Sequence, residues 1–470
     1  MNKIDFGTIK KITNVINSNN VTADSVFDYF RIVRLDGEDE ILKQSNPLFF
    51  ITYVTEEENN DGWYFGRIDP RNRINQIMDN NSDYTFVIDK TMLNSLKDCN
   101  YKYIVVEDLN DTINDLFEYF KNNTHSKTIA ITGSVGKTTC VGIIESVLKN
   151  KYNVWRIYMK RITPIVLKSV IINNINDSID YIVLENSIYY HDHVKVLSDI
   201  MKPEVTAILN IESSHLGIDS LKTLDDICKY KSLIMQYSKK CFIIKNDDYM
   251  DKLNLDSGNL YYKDELMLKN DFLNLERIDL SEIKVEGTNF IIDNIKINPF
   301  ILSTLSKKQY IIAYYIGKYL GLSNKEIEKG MNQYSQVENR VNREIAFGRE
   351  IIFDGDITTY ERMKELSDNM YEKKYLVLRK VGSAENTLRI ANIKDFFNKF
   401  QNVHIFDDVE YLEELKNEPN VIVVNNHDFI KNLDGVIIYH YSGYFRVWDE
   451  YEENNLNIYD KIKYPIMKEN

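Results

Sequence analysis

The sequence predicts an α/β protein of three domains, with a mostly parallel sheet in the central domain. Apolar runs of strand length alternate with segments of helical periodicity along most of the chain. The chain has 470 residues, which is long enough for about three domains. One apolar run leads through a Gly-rich turn directly into a helical segment, as in a strand–loop–helix unit. We expect an N-terminal α/β domain over residues 1–124, the central domain over 125–336 and a Rossmann-like α/β domain over 337–470.

The first domain is predicted from three short apolar runs and one amphipathic helix. The runs are PLFFITYV, YTFVID and YKYIVVED. They precede LNDTINDLFEYFKNN, in which apolar residues recur at helical spacing. The polar stretch KNNTHSK at 121–127 is composed like a linker and therefore marks the junction with the central domain.

The other two domains are predicted from continuous apolar runs that end in polar residues. The central domain contains DYIVLENS, EVTAILNI and KKCFIIKND, followed by two helices in SKKQYIIAYYIGKYLGLSNKEIEKGMNQY. The C-terminal domain contains EIIFDGD, KYLVLRKV, NVHIFDD, NVIVVNN and GVIIYHYS. Such runs suit parallel strands that are buried on both faces, with functional groups at their carboxyl ends.

The composition argues against some classes of function. The net charge is −13 and the pI is near 5.2, which disfavours a nucleic-acid partner because a phosphate backbone requires a basic face. No apolar run approaches membrane-spanning length, and the N-terminus lacks the apolar segment of a signal peptide. The four cysteines are far apart, without a C-x-x-C pair. We expect a cytoplasmic protein with no nucleic-acid partner and no membrane insertion.

The segment TIAITGSVGKTT at 128–139 predicts an ATP-binding P-loop. Glycines let backbone N–H groups turn towards an anion, and the helix that follows points its positive end at the same place. Lys137 is expected to reach the terminal phosphates, and the Thr138 hydroxyl to bind Mg²⁺. Ile131 stands where the usual G-x-x-x-x-G-K-[ST] pattern has its first Gly, so the loop is a shorter variant. The predicted nucleotide-binding residues of the loop are Gly133, Ser134, Val135, Gly136, Lys137, Thr138 and Thr139.

Further polar residues follow the predicted strands beyond the loop. Glu185 ends YIVLE, and a carboxylate at a neighbouring strand end can hold Mg²⁺, although a solvated Glu explains the pattern equally well. His215 follows a third strand in LNIESSHL; by itself it is more typical of a hydrogen-bonded His than of a ligand. The H-x-H of YYHDHVK lacks a third ligand at suitable spacing, which favours a polar helix start over a metal site.

These motifs together resemble the Mur ligases, the ATP-dependent enzymes that add amino acids or dipeptides to the peptidoglycan precursor. The resemblance rests on ITGSVGKTT, a Glu at a strand end, PEVTAILNIESSHL and the K-x-K of CKYKSLI, in this order. The ITGS form of the loop is most similar to the branch that adds D-Ala-D-Ala. The resemblance extends beyond the central domain on both sides. On the N-terminal side, YIVVEDLNDTINDLFEYF resembles the closing helix of the family's first domain, which binds substrate.

The resemblance implies a role for each matching residue. The implied catalytic residues are Lys137, His215 and Lys231. The implied metal ligands are Thr138, Glu185, His215 and Lys231. The other implied nucleotide contacts are Gln309 near the adenine, Arg340 at the phosphates and Asp354 at the ribose hydroxyls.

A lysine after the His-Leu motif is often carbamylated in this family, which turns a cation into an anion able to bind metal. Spacing back to His215 selects Lys229, whereas matching the K-x-K and the downstream IIKNDD selects Lys231. We prefer Lys231, since a loop absorbs a two-residue insertion more easily than a helix. The alternative is that both lysines are solvated on a helix surface.

The C-terminal motifs depart from the family pattern. FDGDITTYER stands in place of D-D-x-Y-N-A-N-P and LSKKQ in place of H-N-x-x-N, while G-D-M-x-E-L-G is missing from KYLVLRKVGSAENT. Phosphate and metal chemistry is therefore expected to be retained, whereas the departures leave the acceptor open.

The resemblance implies an ATP-dependent carboxylate–amine ligase of cell-wall precursor synthesis. It would activate a carboxylate as an acyl phosphate and join it to an amino acid or dipeptide amine. ATP and Mg²⁺ would be its cofactors, small-molecule acids and amines its partners, and a monomer or weak oligomer its expected state. Two alternatives are a P-loop ATPase or phosphotransferase that forms no amide, and a nucleotide-binding Mur-like protein without turnover.

Overall fold

Strands and helices alternate along the chain in the computed structural model, which confirms the predicted α/β class. The described residues are 2–33, 38–53, 73–96, 100–157, 162–188, 192–213, 216–217, 220–335, 341–355, 360–379, 390–409 and 412–441. The strands in these residues are β1 Ile4–Asp5, β2 Val15–Asn19, β3 Val26–Phe27, β4 Tyr29–Arg31, β5 Pro47–Phe50, β6 Thr85–Asp89, β7 Lys102–Val106, β8 Lys127–Thr132, β9 Val154–Ile157, β10 Tyr181–Glu185, β11 Val205–Ile208, β12 Lys240–Ile244, β13 Leu253–Asp256, β14 Asn259–Tyr262, β15 Glu265–Lys269, β16 Asn274–Ile278, β17 Lys284–Glu286, β18 Asn289–Ile292, β19 Ile295–Ile297, β20 Val341–Ala346, β21 Arg349–Asp354, β22 Lys374–Arg379, β23 Val403–Phe406, β24 Val421–Val424 and β25 Val436–Tyr441.

The helices connect these strands and are mostly capped by their own sequence. The α-helices are α1 Phe6–Ile12, α2 Glu38–Leu42, α3 Ile74–Asp79, α4 Leu109–Asn122, α5 Lys137–Leu148, α6 Pro164–Asn174, α7 His193–Met201, α8 Leu224–Ser232, α9 Thr304–Tyr319, α10 Asn324–Gln333, α11 Tyr360–Ser367 and α12 Leu412–Leu415. Short 3₁₀ segments cover Lys90–Ser95, Leu233–Tyr237, Met250–Lys252, Leu280–Glu282, Ile390–Lys399 and Asp428–Asn432. No helix among the described residues is long and apolar enough to span a membrane.

The N-terminal strands form a five-stranded sheet in the order β2-β7-β6-β5-β4. Strands β4 to β7 run parallel, whereas β2 pairs antiparallel with β7 at one edge. Strands β5 and β6 are buried over their whole length, which explains why the sequence there is nearly continuous in apolar residues. Helix α4 begins at the cap Asp108 and buries one face, as its apolar spacing predicts.

The central sheet has six strands in the order β16-β12-β11-β8-β10-β9. Strands β8, β11, β12 and β16 are parallel to their neighbours. Strand β8 therefore lies between β10 and β11, and the segments after these three strands start from neighbouring places at the sheet edge. This arrangement is what places polar residues from three separate sequence segments around one loop.

Two three-stranded antiparallel sheets, β13–β15 and β17–β19, were not predicted from the sequence. Their hairpin turns contain residues with positive φ, namely Ser257 and Gly258, Lys263 and Asp264, and Asp293 and Asn294. Two successive left-handed residues match the right-handed twist of the strands they join. The sequence signal for these hairpins therefore lies in their short turns rather than in their strands.

The C-terminal sheet has six strands in the order β20-β21-β25-β22-β23-β24. All five predicted runs form strands of this sheet, and only the edge strand β20 is antiparallel to its neighbour. Separate apolar clusters cover its two faces, one around Met363 and Phe397 and the other around Ala346 and Ile430. Burial on both faces explains the continuous apolar runs.

Contacts within the chain divide it into two compact units. The first contains 1–128, 152–182 and 195–201, and the second contains 129–151, 183–194 and 202–470. The first unit thus includes helix α6, whose Asn173 accepts a hydrogen bond from the Phe30 amide at 2.8 Å and donates to the Phe30 carbonyl at 2.9 Å. The three domains with boundaries after residues 124 and 336 stay a prediction.

Helix α10 packs closely against helix α5, and Gly330 makes this approach possible. A Cβ atom at position 330 would lie 2.4 Å from the Val147 Cα and 2.7 Å from the Ser146 carbonyl oxygen. The Ser146 hydroxyl donates to the Gly330 carbonyl at 2.7 Å. Helix α5, which leads away from the P-loop, is therefore in backbone contact with helix α10 at this point.

We expect Gly330→Ala to lower the free energy of unfolding by about 1–3 kcal/mol, because the methyl group must push two helix backbones apart. Urea denaturation would measure the change. Lys329→Ala, at an exposed neighbouring position, is the control and should be nearly neutral. Equal stability of the two variants would show that the helices separate without cost.

Candidate active site

The P-loop joins strand β8 to helix α5 and takes its shape from Gly136. This residue caps the helix with φ +80°, a conformation that a residue with a Cβ rarely adopts. A Cβ at this position would also lie 2.6 Å from the Gln309 Nε2 atom. Gln309, on helix α9, instead donates a hydrogen bond to the Gly136 carbonyl at 3.0 Å. The Gln309 amide, implied to lie near the adenine, is thus held against the loop backbone, and its nucleotide contact stays a prediction.

Asn210, directly after strand β11, holds the tip of the loop through three hydrogen bonds. Its Oδ1 accepts from the amides of Ser134 at 2.8 Å and Val135 at 3.0 Å, and its Nδ2 donates to the Val135 carbonyl at 3.0 Å. The Ser134 hydroxyl adds a link by donating to the Glu212 carbonyl at 2.9 Å. The loop is therefore fixed to the next strand before any ligand binds.

Lys137 lies in the first turn of α5 and folds back over the loop. Its ammonium donates to the carbonyls of Gly133 at 2.9 Å and Ser134 at 3.1 Å. The ammonium also lies 4.0 Å from the Glu185 Oε1 atom, and the Lys137 side chain is only 10% exposed. The loop thus holds a largely buried cation at the place where the motif predicts terminal phosphates.

Glu185 ends strand β10 and reaches the helix that follows the loop. Its Oε2 accepts from the Thr138 hydroxyl at 2.6 Å, and its Oε1 accepts from the Ser187 hydroxyl at 3.1 Å. Thr139 is the next residue of α5 and is partly exposed. The hydroxyl of Thr138 and the carboxylate of Glu185 provide the oxygen donors that Mg²⁺ prefers, so this pair fits the ion that the motif implies.

Lys231 reaches the same loop from helix α8 and is completely buried. Its ammonium donates to the Gly133 carbonyl at 2.9 Å, the acceptor that Lys137 also uses. Burial lowers the pKa of Lys231 well below its ordinary value of 10.5, and the nearby charge of Lys137 lowers it further. Lys231 therefore loses its proton more readily than an exposed lysine does.

Lys229, the alternative to Lys231, lies elsewhere on the same helix. It forms an ion pair with Glu265 on strand β15, and this hydrogen bond raises its pKa. Helix α8 begins with a capping box in which Thr223 and Asp226 bond each other's backbone. Because the two lysines are two positions apart on the helix, only one of them can face the loop, and the structure places Lys231 there.

Three predicted residues, His191, His215 and Arg340, lie outside the described residues. Within the part of the chain that the structure describes, no group of three His, Cys, Asp or Glu side chains is arranged to hold a metal ion. His193, the other member of the H-x-H, is buried at the start of α7. The roles implied for His215 and Arg340 stay predictions.

Asp354 ends strand β21 and is completely buried among charged partners. The Arg362 Nε lies 3.2 Å from its Oδ1 and 3.1 Å from its Oδ2, and His440 Nδ1 lies 2.6 Å from Oδ2. Burial by itself would raise the pKa of Asp354, but Arg362 and His440 hold it well below 3.8. Both carboxylate oxygens thus have partners within the protein, and the implied ribose contact stays a prediction.

Comparison with known proteins agrees with this geometry. Residues 131–289, which include the loop, Glu185, Asn210 and Lys231, match the model of the Mur ligase middle domain. The chain carries a Mur ligase middle domain. Among curated relatives, the UDP-N-acetylmuramoyl-tripeptide–D-alanyl-D-alanine ligase of Borreliella burgdorferi is 25% identical over 278 residues, covering 56% of this chain and 57% of that protein. The Bacillus subtilis ligase of the same name is 24% identical over 64% of this chain and 65% of its own length.

Solved structures share the fold over a larger part of the chain. A structure of MurF from Acinetobacter baumannii has a TM-score of 0.69 at 15% identity, covering 100% of this chain and 99% of the other. MurF from Thermotoga maritima, in complex with ADP, has a TM-score of 0.64 at 17% identity, covering 87% and 93%. The aligned regions of the first curated relatives span less than two thirds of their lengths. At these identities the solved structures establish the fold.

Several residues that contribute to the site or to the Asp354 cluster were not predicted from the sequence. Asn210 stood in the N-x-x-x-x-H pattern but carried no assigned role, although its place just after a buried strand was a usable signal. Arg362 and His440 gave no signal, because their partner Asp354 lies 8 and 86 residues away along the chain. The pairing of these side chains depends on strands β21 and β25 being neighbours in the sheet.

We expect Arg362→Met to lower the free energy of unfolding by about 3–5 kcal/mol near neutral pH, because it removes the main partner of a buried carboxylate. The contribution exists above the ordinary carboxyl pKa of 3.8 and is lost as the pH falls through the depressed pKa of the folded state. Urea denaturation at several pH values would measure it. Lys373→Met is the control, since it removes an exposed ion pair with Asp434, and such surface pairs contribute little to stability. Similar losses in both variants would contradict a special role for the buried pair.

Proposed function

We propose that this protein is an ATP-dependent carboxylate–amine ligase of Mur type that acts in cell-wall precursor synthesis. The observation that carries the proposal is the meeting of Lys137, Lys231, Thr138 and Glu185 at one P-loop, where Lys137 and Lys231 share the Gly133 carbonyl. The names of the curated relatives suggest UDP-N-acetylmuramoyl-tripeptide as the acid and D-alanyl-D-alanine as the amine. The acid would be activated as an acyl phosphate, which the amine then attacks.

The loop would bind the nucleotide phosphates with groups that are already in place. Asn210 holds the loop tip, so little ordering is required when the anion arrives. Lys137 now satisfies its ammonium with loop carbonyls, and it can exchange these for phosphate oxygens without leaving the loop. There its charge would oppose the negative charge that develops during phosphoryl transfer.

Thr138 and Glu185 would hold the magnesium ion. A bound Mg²⁺ supplies positive charge to the transferred phosphoryl group. The Thr138 hydroxyl now donates to Glu185 at 2.6 Å, so a cation would find both oxygens already adjacent. Ser187 donates to the other Glu185 oxygen at 3.1 Å and thereby orients the carboxylate.

Lys231 would act after carbamylation. Its amine attacks the carbon of CO₂, a C–N bond forms, one C=O electron pair moves to oxygen, and the nitrogen proton is released, which leaves a carbamate anion. The lowered pKa of Lys231 favours this step because only the neutral amine is a nucleophile. A carbamate would also replace the repulsion between two adjacent cations with an attraction to Lys137 and to a metal ion.

The ligase activity can be tested with the substrates of the named relatives. We expect the full-length protein with Mg²⁺, ATP, UDP-N-acetylmuramoyl-tripeptide and D-alanyl-D-alanine to form the joined product, detected by mass. Lys137→Met should reduce turnover by roughly 10²-fold or more, since it removes the phosphate-directed charge. Lys149→Met is the matched control, because Lys149 is exposed at the far end of the same helix.

The same assay separates the alternative functions. Phosphate release without amide product, independent of the amine, would indicate an ATPase or phosphotransferase. Nucleotide binding without phosphate release from any acid–amine pool would indicate a protein that has lost turnover. Turnover with another acid or amine would keep the ligase and replace the substrate.

Carbamylation of Lys231 predicts a dependence on bicarbonate. In CO₂-free buffer at lowered pH the carbamate should decompose and activity should fall, and added bicarbonate should restore it. Lys231→Arg should stay inactive with or without bicarbonate, since a guanidinium does not form the carbamate. Lys229→Met should respond like the unmodified protein, and activity that is indifferent to bicarbonate would contradict the carbamate.

A further inference from the structure

A cavity of about 120 Å³ opens directly beside the tip of the P-loop. Val135 and Asn210 border it on the loop side, and Leu305 and Lys308 border it from the first turns of helix α9. Lys364 of helix α11 lies on a further side. Any anion held by the loop amides therefore has this cavity as adjoining space.

Lys308 is the unusual group in this cavity, because its ammonium has no bonded partner among the described residues. It is half-buried, and burial lowers the pKa of its ammonium. Glu212 and Asp247 are the acidic groups whose charges favour its protonated form, and Lys364 opposes it. Among the described residues, the Lys308 ammonium forms neither a hydrogen bond nor an ion pair.

The neighbouring lysines differ from Lys308 in this respect. Lys307, the preceding residue, donates to the Ile283 carbonyl at 3.2 Å. Lys364 pairs with Asp368 at 3.5 Å. The acidic Glu365 at the cavity is bound by Arg362. The acidic groups Asp368 and Glu365 beside the cavity are thus paired with residues other than Lys308.

A half-buried cation without a hydrogen-bonding partner loses part of its hydration, and the charges of Glu212 and Asp247 offset this loss only in part. A bound anionic ligand would supply the missing partner of such a cation. Ionisable groups whose pKa is shifted by burial cluster at functional sites. The position beside the P-loop identifies the anion by its chemistry, since the glycine-rich loop and the helix start that follows it form the phosphate-binding element predicted from the motif. The motif departure LSKKQ supplies this lysine, to which the sequence analysis assigned no role.

We propose that Lys308 contacts a phosphate group of the bound nucleotide from the cavity side, opposite Lys137. The proposal rests on the proposed function in taking a nucleoside polyphosphate as the ligand of the loop. It adds a second cation to the phosphate site and assigns the cavity to the nucleotide. Lys308 is then a binding residue whose own stability cost is recovered only in the complex.

Calorimetric titration of the full-length protein with Mg²⁺-ADP and with a non-hydrolysable Mg²⁺-ATP analogue tests this. Lys308→Met should weaken binding by about ten- to hundredfold, the range for a hydrogen bond to a charged group. Lys308→Arg should restore most of the affinity, because it keeps the charge. Lys307→Met is the matched control with the same loss of charge on the same helix, and it should bind normally.

Thermal unfolding without nucleotide provides the second readout. Lys308→Met should keep or raise the melting temperature, since it removes a half-buried charge that has no bonded partner. Lower melting temperature together with weaker binding would show a structural role and overturn the proposal. Equal affinities of the unmodified protein and Lys308→Met, or equal losses in the Lys307 and Lys308 variants, would overturn it as well while leaving the ligase intact. An unmodified protein that binds neither nucleotide would overturn both proposals.

Discussion

The carbonyl oxygen of Gly133 is the acceptor on which the whole site depends. Lys137 and Lys231 come from different helices, and both donate to this oxygen at 2.9 Å. Complete burial lowers the pKa of Lys231, and repulsion from the Lys137 ammonium at the same acceptor lowers it further. The loop consequently has more donor capacity than its own acceptors can use. A phosphate or a carbamate anion would each relieve this imbalance, which is why the proposed chemistry belongs here.

The loop can present these groups because its backbone is fixed before a ligand arrives. Asn210 binds three backbone groups of Ser134 and Val135, and Gln309 binds the carbonyl of Gly136. The left-handed conformation of Gly136 lets the helix start immediately after the turn. Close packing of helix α10 on helix α5 through Gly330 then fixes the helix behind it. Each contact removes freedom that binding would otherwise have to restrict.

The C-terminal sheet uses a strand-end carboxylate in a different way. Asp354 has the position in which the family resemblance implies a ribose contact, yet both its oxygens have partners in Arg362 and His440. Arg362 belongs to the segment that departs from the family pattern, and it links strand β21 to helix α11. The same helix carries Lys364 to the cavity beside the loop. The segment that departs from the family pattern therefore supplies Arg362, which binds the buried carboxylate of Asp354.

The sequence by itself determined the elements whose signals are local. Apolar periodicity and turn residues located the P-loop, the strand ending at Glu185, the paired helices α9 and α10 and the five C-terminal runs. The hairpin sheets β13–β15 and β17–β19 were missed because their signal was one or two left-handed residues in each short turn. Only the tertiary structure placed Lys231, rather than Lys229, at the loop, gave Asn210 its contacts there and paired Asp354 with His440. These outcomes depend on which strands are neighbours and on which side of a helix faces the loop, and neither is encoded in the spacing of residues along the chain.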